Sequence, residues 1–185
     1  MLVVFHLVQV FFVFAVAVVL LLSMRSDFLT MTIPNRYSGA VVVLFLPVWL
    51  IDVGLGLSGH APFLGPVAGH LWAFGGMLLL SIPMFYLGIW GGGDAKLAAG
   101  IGLWVGLKGL SVFLGVMAVS GVALVIAHYG LKMVQKRCPA AKFPEGSWPD
   151  RVGKGERVLP YGIALSLGGL AAIAALGYFN LFSAI

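Results

Sequence analysis

The chain has 185 residues, a length that suits one soluble domain, yet 61% of them are hydrophobic and only 9% are charged. An average soluble domain is roughly 25% charged, so this chain cannot clothe a water-exposed surface and the bilayer must be its main solvent. The net charge of +5 does not point to nucleic acid, because the Lys and Arg residues stand between apolar runs, where they set topology.

The first apolar run, 2–22, lacks a basic leading segment and is too long for the core of a signal peptide. It reads as a retained first helix over 2–23. A polar connection, 24–35, leads to a second helix over 37–57. Gly59, Pro62 and Pro66 punctuate the passage to a third helix over 67–90. Then come Gly91, Gly92, Gly93, Asp94, Ala95 and Lys96. The stretch 97–131 is too long for one span of about 20 residues and too short for two full spans with a turn.

Charge decides how that stretch is divided. The loop 132–157 carries Lys132, Lys136, Arg137, Lys142, Arg151, Lys154 and Arg157, and a loop so basic is expected on the cytosolic side. Arg25 and Arg36 place the first loop there as well. One span after Lys96 would put the basic loop outside; two spans keep it inside and leave only Lys108 on the far side. The predicted break is at Lys108-Gly109, giving a short helix four over 95–107 and a fifth helix over 110–131. A sixth covers 159–182. The expected fold is therefore all-α, a polytopic integral membrane protein with six transmembrane helices in one membrane-embedded unit, 1–185. Both termini are expected outside the cytosol.

Helix four is informative because it is short. At 1.5 Å per residue it spans about 20 Å, less than the roughly 30 Å of hydrocarbon. Asp94 at its start is then recessed below the cytosolic surface, unless the bilayer thins locally.

Six residues are acidic. Glu145, Asp150 and Glu156 lie in the basic loop and read as solvated, weak ion pairs. Asp52 falls near the far end of helix two, where headgroups or water are in reach, and reads as structural. Asp27 and Asp94 differ. Two spans separate them, so both lie on the cytosolic side, each at a helix end beside irregular backbone. An acid at membrane depth is costly and points to function. Two carboxylates side by side share a proton. The ionised one can take a proton from water attacking a peptide carbonyl while the other donates to the carbonyl oxygen or leaving nitrogen. The plainer reading is that Asp27 caps a helix and Asp94 pairs with Lys96.

The glycines before Asp94 let a second backbone come close, as a protease requires of its substrate strand; glycine is also common where membrane helices break or pack closely. The run lacks the Gly-Lys-Ser/Thr ending of a phosphate loop. Ile33-Pro34-Asn35-Arg36 reads by itself as a start signal for helix two.

Together these features resemble the type IV prepilin peptidases, membrane aspartic proteases with a Gly-x-Gly-Asp signature. Gly91-Gly92-Gly93-Asp94 fits that signature with Lys96 after it. Asp27 precedes Ile33-Pro34-Asn35 at the spacing found around the family's first aspartate. Pro160-Tyr161-Gly162, opening the last helix, is similar to a segment of the short members. The resemblance covers nearly the whole chain. It implies removal of the leader peptide from prepilins or pseudopilins at the cytosolic face of the bacterial inner membrane, with Asp27 and Asp94 catalytic. Gly91, Gly92, Gly93, Lys96, Pro34 and Asn35 would form the active-site surroundings. The stretch Phe28-Leu29-Thr30-Met31-Thr32 departs from the basic residues that members often carry there. Longer members have a cysteine-rich insertion and methylate the new N-terminus. Cys138 is the only cysteine, so the chain resembles the short, peptidase-only kind serving tight-adherence (Flp-type) pili.

No cofactor or metal is expected: no motif of the His-Glu-x-x-His type occurs, and His6, His60, His70 and His128 do not share a face. Lys96 reads as a topology anchor or as a group tuning the pair. Trp49, Trp72, Trp90, Trp104 and Tyr86 read as interfacial or packing residues, and Gly102 with Gly106 as close helix packing. The basic loop, with Pro139, Pro144 and Pro149, is expected to be irregular and to meet membrane lipid or substrate. The rival reading is a small proton-coupled transporter using the same two aspartates. It predicts a paired repeat, which is not evident, and leaves Ile33-Pro34-Asn35 unexplained. A structural subunit of a membrane complex is a third reading. Oligomeric state is not legible.

Overall fold

The computed structural model describes residues 2–59, 63–138 and 143–179. His60, Pro62, Pro139, Lys142 and the expected end of the last helix at 180–182 lie outside them. Six helices follow in order: α1 (Leu2–Thr30), α2 (Asn35–Leu57), α3 (Val67–Tyr86), α4 (Gly92–Arg137), α5 (Trp148–Gly153) and α6 (Tyr161–Ala175). The fold is all-α, and no strand occurs among the described residues. The first four helices are long and apolar enough to cross a membrane; α6 is apolar but shorter, at 15 residues.

α1 runs past its expected end at Ser23 to Thr30. Residues 24–30 hold no Gly or Pro, and charge at Arg25 and Asp27 marks the edge of an apolar run without stopping a helix. The buried residues His6, Gln9, Val10, Val13, Val16, Leu20, Ser23 and Asp27 recur every three or four positions, the period of one helical face. Asp27 is thus the last member of the stripe that α1 turns toward the core, not part of an irregular loop. The helix closes on Met31, whose φ of 53° is left-handed and whose N–H donates to the Asp27 carbonyl at 2.9 Å.

α3 stops at Tyr86 rather than 90. Gly88 has a φ of +69°, its N–H donates to Phe85 O, and that of Ile89 to Met84 O, both at 3.0 Å. This is the glycine-terminated helix end that satisfies orphan carbonyls. It turns Trp90 into the core, where it is buried, and delivers the chain to Gly91.

α4 is two arms, 92–105 and 107–137, and the break falls at Gly106, not at Lys108-Gly109. Gly106 has φ 57° and ψ −173°, a region essentially confined to glycine. The arms fold back on each other. Ile101 of the first and Phe113 of the second touch adjacent glycines of α6, Gly169 and Gly168. On a straight helix those residues would stand about 18 Å apart. Leu176, past the end of α6, meets Gly109 beside the break, and Leu124 meets Ala164 near the start of α6. The buried His70 ring closes over the break: Nδ1 lies 2.8 Å from Leu103 O and Nε2 3.1 Å from Leu64 O.

The first arm is the axle of the bundle. Every residue from Leu97 to Gly106 is buried, as expected of a helix apolar on all sides. Small residues admit its neighbours: a Cβ at Gly102 would lie 2.9 Å from Ala73 O. The buried Trp104 ring NH donates to Val41 O at 2.7 Å. Gly102 is therefore close packing, as its spacing implied, whereas Gly106 is the hinge.

Two expectations about polar segments change. Asp52 does not reach outward to headgroups. It is buried and accepts three N–H groups, from Gln9 Nε2 at 2.7 Å, Phe63 N at 2.8 Å and Leu64 N at 2.6 Å, tying α1, α2 and the 63–64 segment together. Asp52→Ala orphans these donors and is expected to cost about 3 kcal/mol, read as a lower denaturation midpoint in detergent. Nor is the 132–157 loop irregular throughout. α4 continues to Arg137, and α5 forms with Pro149 in its first turn, where a missing N–H is harmless. Trp148 anchors it, donating to Val158 O at 3.0 Å.

Candidate active site

Asp27 ends the inward stripe of α1 and is 5% exposed. Its Oδ2 accepts the backbone N–H of Gly162 at 2.7 Å. That donor exists because Gly162 stands in the first turn of α6, where backbone N–H groups lack intrahelical partners. The first turn of α6 therefore points a polar group at the carboxylate.

Asp94 opens the first arm of α4. Its Oδ2 accepts the N–H of Gly91 at 2.9 Å, the capping arrangement of an acid in a first helical turn. Its Oδ1 is buried with no hydrogen-bond partner. One oxygen of Asp94 thus does structural work and the other is left over. The two aspartates are near enough for the charge of Asp94 to act on Asp27.

Ile33 packs against glycines on both sides of the site. A Cβ at Gly93 would stand 2.9 Å from Ile33 O and 3.0 Å from Ile33 Cβ. A Cβ at Gly162 would stand 2.7 Å from Ile33 Cδ1 and 2.9 Å from Asp27 Oδ2. Ile33 is thus wedged between the glycine before Asp94 and the glycine that bonds Asp27. Its size contributes to the spacing of the two sides of the site. The three glycines before Asp94 are not equivalent: Gly93 is required by this packing, whereas Gly92 has open space around it.

Pro34 precedes α2 with φ −59° and ψ 139° and starts the helix as its position implied. Asn35 and Lys96 meet, Nζ donating to Oδ1 at 2.9 Å. Lys96 therefore joins the start of α4 to the start of α2 instead of pairing with Asp94. Around Asp27, hydroxyls bond the backbone of 26–32. Ser26 Oγ donates to Thr32 O at 2.9 Å and Thr30 Oγ1 to Ser26 O at 2.8 Å.

Asp27, Ile33, Asn35, Asp94, Lys96 and Gly162 thus gather at one end of the bundle from four helices and the connection between α1 and α2. Gly162 and Ile33 lie in segments that carried the family resemblance, but neither was counted among the site residues. The signal that could have found them was their place in Ile33-Pro34-Asn35 and Pro160-Tyr161-Gly162.

The model of the type IV leader peptidase family matches residues 13–127, more than half of the chain and a range that holds both aspartates. The chain belongs to the type IV leader peptidase family, and it is accordingly a peptidase. No curated protein and no solved structure matches it. The matched range ends before α6, so Gly162 belongs to the part of the site that the match does not reach. The transporter reading gains nothing from it.

Proposed function

We propose that the chain is an aspartic endopeptidase that removes the leader peptide from type IV prepilins, with Asp27 and Asp94 as the catalytic pair. The observation that carries this reading is the buried, unpartnered Oδ1 of Asp94, at the same end of the bundle as the buried Asp27, in a leader-peptidase chain. Buried polar atoms in folded proteins have partners, and one without is available to a reacting group.

The ionised member of the pair takes a proton from water as the water oxygen attacks the scissile carbonyl carbon. The protonated member gives its proton to the leaving nitrogen as the C–N bond breaks. The Gly162 and Gly91 N–H groups each hold one carboxylate oxygen in place. The open backbone at Gly92 offers a surface on which the extended substrate can lie. The charge pattern favours a position of this end of the bundle at the cytosolic face of the bacterial inner membrane, with α4 crossing twice and six crossings in all. The single cysteine and the lack of a cysteine-rich insertion favour the peptidase-only type that serves Flp-like pili.

The direct test is co-expression with a prepilin, reading the N-terminus of the product. A new terminus just before the apolar helix of the pilin is expected. Uncut prepilin beside well-accumulated enzyme would reject the reading. Lys96→Met tests the periphery of the site. Met retains the aliphatic stem and removes an exposed contact, so the cleavage rate should fall less than about tenfold. A loss as deep as that of the aspartate variants would put Lys96 in the chemistry.

A further inference from the structure

The second arm of α4 bears an uncovered apolar strip. Val122, Val125, Ile126 and Tyr129 are all exposed, and their spacing puts them on one helical face. The strip leads into a cavity of about 380 Å³ lined by Val125, His128, Tyr129, Lys132, Arg157 and Leu159. The lining has two cations and no carboxylate. The ion pairs among the described residues are Arg151–Glu156 and Lys154–Asp150, so two of the loop's acids are engaged elsewhere and neither Lys132 nor Arg157 has one. His128, stacked on Trp148, also lines the cavity. It is 7% exposed, and its Nδ1 has no hydrogen-bond partner.

Unpaired cations at the polar end of an exposed apolar strip match a ligand with an anionic head and a hydrocarbon tail. We infer that this cavity seats an anionic phospholipid, with its phosphate between Lys132 and Arg157 and an acyl chain along Val125 and Val122. Guanidinium and ammonium groups bind phosphate through charge-assisted hydrogen bonds, and basic pockets beside membrane helices take such headgroups. A free anion would use the cations and leave the strip uncovered, on a helix apolar enough to cross a membrane. The place is consequential: Leu159 lies three residues before Gly162, whose N–H holds Asp27. The lipid therefore sits at the root of α6. The inference does not depend on the proteolytic reading.

Native mass spectrometry of the full chain, released from detergent after mixing with equimolar phosphatidylglycerol and phosphatidylcholine, tests it. Wild type should retain phosphatidylglycerol over phosphatidylcholine by about tenfold or more. Lys132→Gln with Arg157→Gln should erase that preference. Lys136→Gln with Arg137→Gln, an equal loss of charge on the same helix end, should keep it. Val125→Trp, which fills the cavity without changing charge, should lose it, and covers the case in which the double variant does not fold. Three outcomes overturn the inference. One is wild-type preference in the Lys132 and Arg157 double variant. Another is equal loss in the control pair, which would mean diffuse charge. The third is displacement of the lipid by millimolar inorganic phosphate, which would make this a site for free anions.

Discussion

Asp27→Asn and Asp94→Asn should each lower the rate of leader removal by about a thousandfold or more, with the protein still accumulating in the membrane. An amide matches the carboxylate in size and can still accept a backbone N–H. The Asp27→Asn variant therefore keeps the Gly162 contact made at 2.7 Å, and the Asp94→Asn variant keeps the Gly91 contact made at 2.9 Å. What is lost is the capacity to take and give a proton in the reaction. General acid–base groups contribute about 10²–10⁴-fold each, and groups acting as a unit are strongly non-additive. The double variant should therefore be little worse than either single one. The measurement is turnover of a prepilin in detergent micelles, with near-wild-type accumulation as the folding control. A single variant that keeps a tenth of the wild-type rate would remove that aspartate from the chemistry.

Gly162→Ala should lower kcat by about a hundredfold, although its Cβ adds one carbon. That carbon would lie 2.9 Å from Asp27 Oδ2 and 2.7 Å from Ile33 Cδ1, so the carboxylate or the wedge must move. A displacement of an ångström at a catalytic group is enough for such a loss. Overpacking elsewhere provides the control. A Cβ at Gly168 would meet Phe113 O at 2.7 Å, far from the aspartates along α6. Gly168→Ala should cost about 1–3 kcal/mol of stability and leave kcat nearly unchanged in the folded fraction. Ile33→Val deletes Cδ1 and should restore part of the activity of Gly162→Ala. Equal effects of the two glycine variants on kcat would mean that Gly162 acts through stability alone.

The helical class and the placing of both aspartates at one end of the bundle are legible in the sequence because they rest on coarse signals: an apolar chain with few charges, and two apolar runs between the two acids. Division of 97–131 into two arms is also legible from charge, since it keeps the basic loop on one side. What is not legible depends on backbone detail or on contacts distant in sequence. A drop in apolarity after Ser23 reads as a helix end, although nothing in 24–30 stops a helix. Charge draws the turn in α4 to Lys108, while the backbone needs a glycine two residues earlier. Asp52 reads as facing outward because its partners, Gln9 and the Phe63 and Leu64 amides, come from distant parts of the chain. Gly162 has the same obscurity, since its role is visible only once α6 is set against α1.

The fully buried first arm of α4 sets one side of the site apart from the other. Protein lies on every side of 97–106, the stretch that follows Asp94 in the same helix. Asp27 stands on α1, whose outer face carries exposed Leu7, Phe11, Phe14, Val18 and Leu22 and borders the surrounding medium. The two carboxylates therefore stand on helices that the protein encloses to unequal degrees.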